Sequence, residues 1–207
     1  MNAPHPALAL VRDGSGFQWY AVALLLLVIH AYHEQAAAGR WSIVLGGLAF
    51  WLMDWINEIA NALIAHYFAP LWSVPGPTAW RLLVGLNVEI SLMFAVMGLL
   101  AVRMLPRQRR MVLPGLDNRW LLAGVNSLLC VLVECGLNRI GALQWAWRGW
   151  NARQPWLIFL VGYLPFFLVA YRVHDLRSRH HQLAVVGGLA TIVAVALLVF
   201  GGVLGWI

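Results

Sequence analysis

Residues 41–66 read WSIVLGGLAFWLMDWINEIANALIAH. The first 25 or so of these residues are long enough to cross a bilayer as one α-helix. Asp54, Glu58 and Asn61 stand near the middle of this run, and their i, i+4, i+7 spacing places them on one helix face. An acid at bilayer depth costs at least about 2.5 kcal/mol. We therefore predict that this face lines the floor of a functional site and is turned away from lipid.

The composition of the whole chain indicates a membrane protein. Of its 207 residues, 62% are hydrophobic and 11% are charged, and the mean hydropathy is +0.75. Soluble domains carry about 25% charged residues. We predict an all-α, polytopic transmembrane helical bundle of about six helices over residues 17–207, with no soluble domain, after a flexible lead-in at residues 1–16. The predicted segments are about residues 17–37, 41–65, 79–105, 120–143, 155–174 and 183–206.

The distribution of arginine predicts the orientation in the membrane. The formal net charge of +6 comes from Arg alone, because the chain has no Lys. The arginines stand in short loops at segment ends, which is typical of membrane proteins and argues against a nucleic-acid partner. The basic loops 106–119 and 172–179 follow the third and fifth segments, so the positive-inside rule predicts a multi-pass cell-membrane protein with both termini outside the cytoplasm.

The end of the first segment imitates a signal-peptide cleavage site at Ala36 to Ala38. The polar residues just before this site are unusual for such a peptide, and Arg12 in the leader is cancelled by Asp13. We therefore expect a retained helix.

Two further carboxylates are predicted at the depth of the first pair. With a rise of 1.5 Å per residue, Glu58, Glu89 and Glu134 fall in one layer, and Asp54 lies just beneath it. Ionisable groups at this depth are rare and usually functional. We expect these four carboxylates, from three helices, to form the catalytic set of one cavity.

Polar and aromatic side chains near the acids are the predicted walls of this cavity. The asparagines extend the polar faces, although hydrogen bonding between helices is an alternative role for them. The aromatic pair on the fifth segment has i+4 spacing beside Pro165, which predicts a kink, and ordinary packing is its alternative role. The predicted substrate-binding residues are Trp51, Trp55, Asn61, Asn87, Asn138, Tyr163 and Phe167.

One stretch has the composition of a metal motif, namely His30, His33 and Glu34. The i, i+3 spacing puts both histidines roughly on one side of the first helix, although the pattern is not HExxH. Helical bundles do build metal sites from His and carboxylates. The expected depths of these residues differ from those of the buried acids by about 10 Å or more, so an interfacial polar collar is the other interpretation. We expect no cofactor in the main site.

The order of acids and aromatics resembles that of the emopamil-binding-protein (EXPERA) group of membrane sterol isomerases. The pattern consists of Asp54-xxx-Glu58, then Glu89, then Glu134, then the aromatic stretch 159–167. Asp54 stands where that group typically has His. The chain is also similar to small membrane-embedded terpene cyclases. The resemblance implies a short bundle that protonates an alkene or epoxide and stabilises the resulting carbocation with acids and aromatic rings.

The leading functional hypothesis is an enzyme that isomerises or cyclises a lipophilic, isoprenoid-like substrate. A carboxylic acid in an apolar site stays protonated and can act as a general acid, while a second carboxylate takes the proton back. The alternatives are a small proton- or cation-coupled transporter, a metalloenzyme that uses His30 and His33 with the buried carboxylates, and an assembly partner without chemistry. The expected partners are a lipophilic small molecule and membrane lipid, and a homo-oligomer is left open.

Overall fold

The computed structural model describes residues 17–106 and 117–207. Within these ranges the chain forms six helices, which confirms the predicted all-α membrane bundle. The predicted lead-in at residues 1–16 and residues 107–116 of the predicted basic loop 106–119 lie outside the described part. The helices are α1 (Tyr20–Ala37), α2 (Trp41–Tyr67), α3 (Val88–Arg103), α4 (Asn118–Arg139), α5 (Pro155–Asp175) and α6 (Arg179–Val203). Of these, α2, α4, α5 and α6 are long and apolar enough to cross a membrane.

Helix α2 is the centre of the bundle and packs against α3, α5 and α6. Small residues allow the close approach: a Cβ atom on Gly47 would lie 3.0 Å from the backbone of Leu99 on α3. Helices in membranes associate largely through such packing, because lipid tails are as apolar as the side chains. Phe50 is fully buried against Phe94 and Phe167, with ring centroids 6.0 and 4.7 Å away. Asp54, Glu58 and Asn61 are buried as well, so the polar face of α2 is turned toward protein.

The third segment begins nine residues later than predicted. Residues 79–87 are irregular, and the helix starts at Val88, where the Asn87 side chain accepts a 2.8 Å hydrogen bond from the amide of Ile90. Leu83 and Leu86 are nevertheless buried, and their backbone groups bond to each other across the turn. Non-helical backbone is tolerated at membrane depth only where protein covers it or a cavity adjoins it. The sixteen residues of α3 span about 24 Å, short of the hydrocarbon thickness of about 30 Å.

Two connectors meet at one end of the bundle. Strand β1 (Trp72–Ser73), between α2 and α3, pairs antiparallel with β2 (Gln144–Trp145), between α4 and α5. The fully buried side chain of Asn61 holds β1 in place, because its Nδ2 donates to the Trp72 carbonyl at 2.9 Å and its Oδ1 accepts from the Leu71 amide at 2.8 Å. The connectors therefore form a fixed cover over this end of the bundle.

The opposite end of the bundle is joined by an ion pair. Arg119, at the start of α4, donates through Nε and Nη2 to the two carboxylate oxygens of Asp175, at the end of α5, both at 2.9 Å. A bidentate pair of this kind is geometrically specific as well as strong. The ion pair thus fixes α4 and α5 to each other at this end of the bundle.

Candidate functional site

A cavity of about 350 Å³ lies between α2, α3, α4 and α5, beneath the paired connectors. Three of the four predicted catalytic carboxylates line it, two from α2 and one from α4. The rest of the wall is mostly apolar. The described lining residues are Asp54, Asn57, Glu58, Trp72, Gly85, Ile90, Met93, Phe94, Met97, Leu129, Cys130, Val133, Glu134, Leu137, Leu143, Trp150, Gly162, Tyr163 and Phe166.

Asp54 and Glu58 form the floor of this cavity, one helical turn apart on α2. They are 2% and 5% exposed. One oxygen of Glu58 accepts a 2.9 Å hydrogen bond from the indole N–H of Trp72. Its other oxygen, and Oδ2 of Asp54, are buried without a hydrogen-bond partner among the described residues. Buried polar atoms are nearly always paired, so two unpaired carboxylate oxygens on one cavity wall indicate a place for a proton, water or ligand.

Glu134 faces the cavity from α4 and is held by three donors. Its Oε1 accepts from the indole N–H groups of Trp145 and Trp150 at 2.8 and 3.2 Å, and its Oε2 accepts from the hydroxyl of Tyr163 at 2.7 Å. These donors come from the second connector and from α5. Both carboxylate oxygens are therefore occupied as acceptors. The orientation of Glu134 is therefore fixed from three sides.

Aromatic rings form the walls between the acids. Trp72 stacks on Trp150 with ring centroids 5.0 Å apart, and Phe94 stacks on Tyr163 at 6.3 Å. None of the described lining residues is Arg, Lys or His. The cavity therefore combines carboxylates and π-faces without a balancing protein cation, an arrangement that favours positive charge inside it.

A π-helical turn in α5 directs Tyr163 into the cavity. It covers Ile158–Tyr163 and ends two residues before Pro165, where the sequence predicts a kink. Proline lacks the N–H that would continue the α-helical hydrogen bonds, and π-turns occur often at functional sites. The local sequence thus turns Gly162 and Tyr163 toward the acids.

The comparisons with known proteins agree with a membrane location. The sequence model of a family described as "Uncharacterized membrane protein family" matches residues 1–202. The chain belongs to this family. An "Uncharacterized protein" of Archaeoglobus fulgidus is 49% identical over 208 residues, which cover 100% of this chain and 99% of that protein. A second protein of the same organism and description is 51% identical over 53 residues, covering 26% of this chain and 95% of its own length. No solved structure matches.

In this family member, the structure places Glu89 outside the cavity. The sequence pattern predicts Glu89 within a long third helix, whereas it lies in the first turn of α3. There its carboxylate accepts hydrogen bonds from the Tyr20 hydroxyl, from the Thr78 hydroxyl at 2.5 Å and from the Ala79 amide at 2.7 Å. Glu89 therefore joins the start of α1, the connector and α3, and the expected set of four acids becomes a set of three.

The predicted wall residues are divided between several places. Tyr163 lines the cavity, whereas the indole N–H groups of Trp51 and Trp55 both donate to the Ser91 hydroxyl, at 2.9 and 3.2 Å. Asn61 and Asn87 hold the connector and the start of α3, as described above. Asn138 donates to the Leu143 carbonyl at 3.0 Å. Phe167 packs on Phe50 and lines a second, adjoining cavity.

The histidine motif of α1 is separate from the acids. His30, His33 and Glu34 are exposed, while Gln35 is buried. Across the described ranges no three His, Cys, Asp or Glu side chains are grouped so that they could hold a metal ion. The polar-collar interpretation of these histidines stays a prediction.

Sequence patterns alone do not assign Trp72, Trp150, Phe94 and Phe166 to the site. Both tryptophans stand in connectors, where a membrane sequence suggests an interfacial aromatic belt. One feature of the sequence could have pointed to these two tryptophans. Tryptophan is concentrated in two connectors that are expected on the same side of the membrane. In the structure these indoles point inward, and their N–H groups bond Glu58 and Glu134.

Proposed function

We propose that this protein is an integral membrane enzyme that isomerises or cyclises a lipophilic, isoprenoid-like substrate by acid/base chemistry. One observation carries the proposal. The unpaired oxygens of Asp54 and Glu58 lie on the floor of an apolar, aromatic-walled cavity whose described lining contains no basic side chain. The resemblance to the order of acids in the EXPERA group supports the proposal through Asp54, Glu58 and Glu134. Glu89 lies outside the cavity and gives it no support.

The proposed reaction begins with a proton held by the Asp54–Glu58 pair. Two adjacent carboxylates without a cation do not both ionise in an apolar site, because an unpaired buried charge is too costly. The π-electrons of a substrate double bond take this proton, which forms a C–H bond and leaves a carbocation on the neighbouring carbon. The faces of Trp72, Trp150 and Tyr163 stabilise the positive charge.

The second proposed step returns the substrate to neutrality. Glu134 removes a proton from a carbon beside the carbocation, and the electrons of the broken C–H bond form a double bond at a new position. If another double bond of the chain attacks the carbocation first, the same proton loss ends a cyclisation. Proton exchange with water resets the acids. The three donors around Glu134 hold the base at a fixed position across the cavity.

Deuterium incorporation tests this proposal with simple isoprenoid alcohols in place of the natural substrate. The protein in phosphatidylcholine nanodiscs is incubated in D₂O with geraniol, farnesol or geranylgeraniol, and the recovered alcohols are analysed by mass spectrometry. We expect protein-dependent C–D bonds at alkene carbons of at least one alcohol, because each turnover delivers a solvent-derived proton to carbon. Binding of all three alcohols without any C–D bond formation would contradict the proposal.

The absence of a basic side chain from the described lining also favours a second candidate, a cation-coupled transporter. A cation in the cavity would balance the acids in place of a proton. Proteoliposomes distinguish the two candidates. Uptake of a cation that depends on Asp54, in a protein that produces no C–D bonds, would favour transport over catalysis.

We also propose that both termini lie outside the cytoplasm, with the paired connectors on the outer side. The test replaces Ser73 in β1 or Ser178 between α5 and α6 by Cys, in a chain whose Cys130 and Cys135 are changed to Ser. A membrane-impermeant maleimide added to intact cells should label the Ser73→Cys variant and leave the Ser178→Cys variant unlabelled. The reverse labelling pattern would invert the orientation.

A further inference from the structure

A second cavity of about 430 Å³ continues from the first along the space between α3 and α4. The two cavities share four wall residues: Met93, Met97, Leu129 and Cys130. The second cavity, here called the groove, runs toward the start of α4 as far as Leu122. Glu134 lies twelve positions after Leu122 on the same helix, so the groove and cavity together extend about 18 Å along α4.

The groove opens sideways toward lipid. Helix α3 packs on α2, and α4 packs on α5, but α3 and α4 are not packed against each other along their length. Met93 and Leu129, on the two sides of this gap, are 51% and 55% exposed although both line the cavity. Inside the gap the thiol of Cys130 contacts the sulfur of Met97 at 3.7 Å. Thioether side chains adapt easily to irregular apolar ligands, so this contact can yield to a hydrocarbon chain.

One helical turn before its far end at Leu122, the groove is polar. Asn126 and Tyr171 line it, and the Asn126 amide donates a 2.8 Å hydrogen bond to the Tyr171 hydroxyl. The walls between this pair and the acids are apolar, with Met97, Leu129 and Phe167 among them. From this pair to the acids the space therefore has a hydrogen-bonding part, an apolar middle and an acidic end.

We propose that a single-chain isoprenoid alcohol enters from the bilayer between α3 and α4. Its hydroxyl bonds to Asn126 and Tyr171, its chain lies in the groove, and its terminal double bond reaches Asp54 and Glu58. The assignment of the reacting end rests on the proposed function, whereas the binding mode rests on the groove itself. Pockets for small ligands measure about 300–1,000 Å³, and the cavity and the groove each fall within this range. Together they have the size for one isoprenoid chain.

Two photoreactive forms of farnesol test the direction of binding in phosphatidylcholine nanodiscs. One carries a diazirine beside the hydroxyl and the other carries it at the opposite terminus. Peptide mapping should locate the first adduct near Asn126 or Tyr171 and the second near Phe94 or Tyr163. Exchanged positions, or the same scattered labelling of lipid-facing residues by both probes, would overturn the proposal.

Adjacent leucines on α4 provide a matched pair of variants. Leu129 lines both spaces, while Leu128 lines neither and is almost equally exposed, at 52%. We expect Leu129→Trp to lower specific adduct yield about tenfold, because the larger ring fills the entrance, and Leu128→Trp to leave the yield nearly unchanged. Equal effects of the two substitutions would show that the gap is not the route. Measured melting temperatures are the check that both variants are folded.

An excess of unlabelled competitor tests the chain chemistry. Unlabelled farnesol should abolish both adducts, while a saturated straight-chain alcohol of equal length should compete at least about tenfold less well. Equal competition would reduce the groove to a general lipid-chain site and overturn the isoprenoid assignment.

In the Asp54→Asn variant the adducts should persist even though deuterium incorporation is lost. Adducts in the expected positions without deuterium incorporation by the wild-type protein would leave the binding proposal standing and remove the proposed function.

Discussion

Replacement of Asp54 by Asn is expected to lower the rate of deuterium incorporation by about 10²–10⁴-fold, the usual contribution of a positioned general acid. The amide has nearly the same shape as the acid but cannot deliver a proton to a double bond. Glu58→Gln should have an effect of the same order, because the two side chains hold the proton together. The measurement is the initial rate of C–D bond formation per folded protein in nanodiscs.

Stability separates this catalytic role from a structural one. An unpaired carboxylate oxygen on a cavity wall contributes little to folding, so the melting temperatures of both variants should be unchanged or higher. Glu89→Gln is the matched control, since Glu89 is bonded to Tyr20, Thr78 and Ala79 outside the cavity. It should retain C–D formation. A loss of rate in Asp54→Asn that merely follows a loss of folded protein would refute the catalytic role.

Asn61→Leu is expected to be the most destabilising single substitution discussed for this protein. The two side chains have similar sizes, but leucine leaves the Leu71 amide and the Trp72 carbonyl without their partner at a fully buried position. Each unsatisfied buried group costs about 1–3 kcal/mol. The melting temperature in detergent should fall markedly, and the first connector should become accessible to protease.

The matched control for Asn61→Leu is Asn57→Leu, one turn earlier on α2. Asn57 lines the cavity and bonds no connector backbone in the described part of the chain. Its substitution should leave the melting temperature nearly unchanged. If Asn61→Leu were equally harmless, the connector would be held by its own strand pairing and not by the asparagine.

Helical periodicity explains why the central part of the site was predictable. Asp54, Glu58 and Asn61 belong to one uninterrupted helix, so their common face follows directly from their spacing. The cost of burying acids in lipid then required this face to meet protein. The same reasoning placed Glu134 in the same layer, and the structure brings its side chain to the cavity.

The errors arose where the chain leaves regular helix. Glu89 was misplaced because the apolar run at residues 82–86 extends the pattern of a membrane helix, yet residues 79–87 fold as turns that only tertiary packing makes stable. The contacts of Trp72 and Trp150 depend on pairing between β1 and β2, which belong to connectors far apart in the sequence. No local pattern specifies such a pairing, so the aromatic cover over the acids could not be derived from spacing.

The buried turns of residues 79–87 also constrain how the protein is made. Helix α3 is too short to enter the membrane as an independent unit, and the turns before it can leave water only when a packing surface already exists. Helix α2 provides that surface, and it emerges from the ribosome first. Biosynthesis therefore has a preferred order in which α3 follows α2 as a dependent partner, so membrane insertion of the third helix is coupled to assembly of the site.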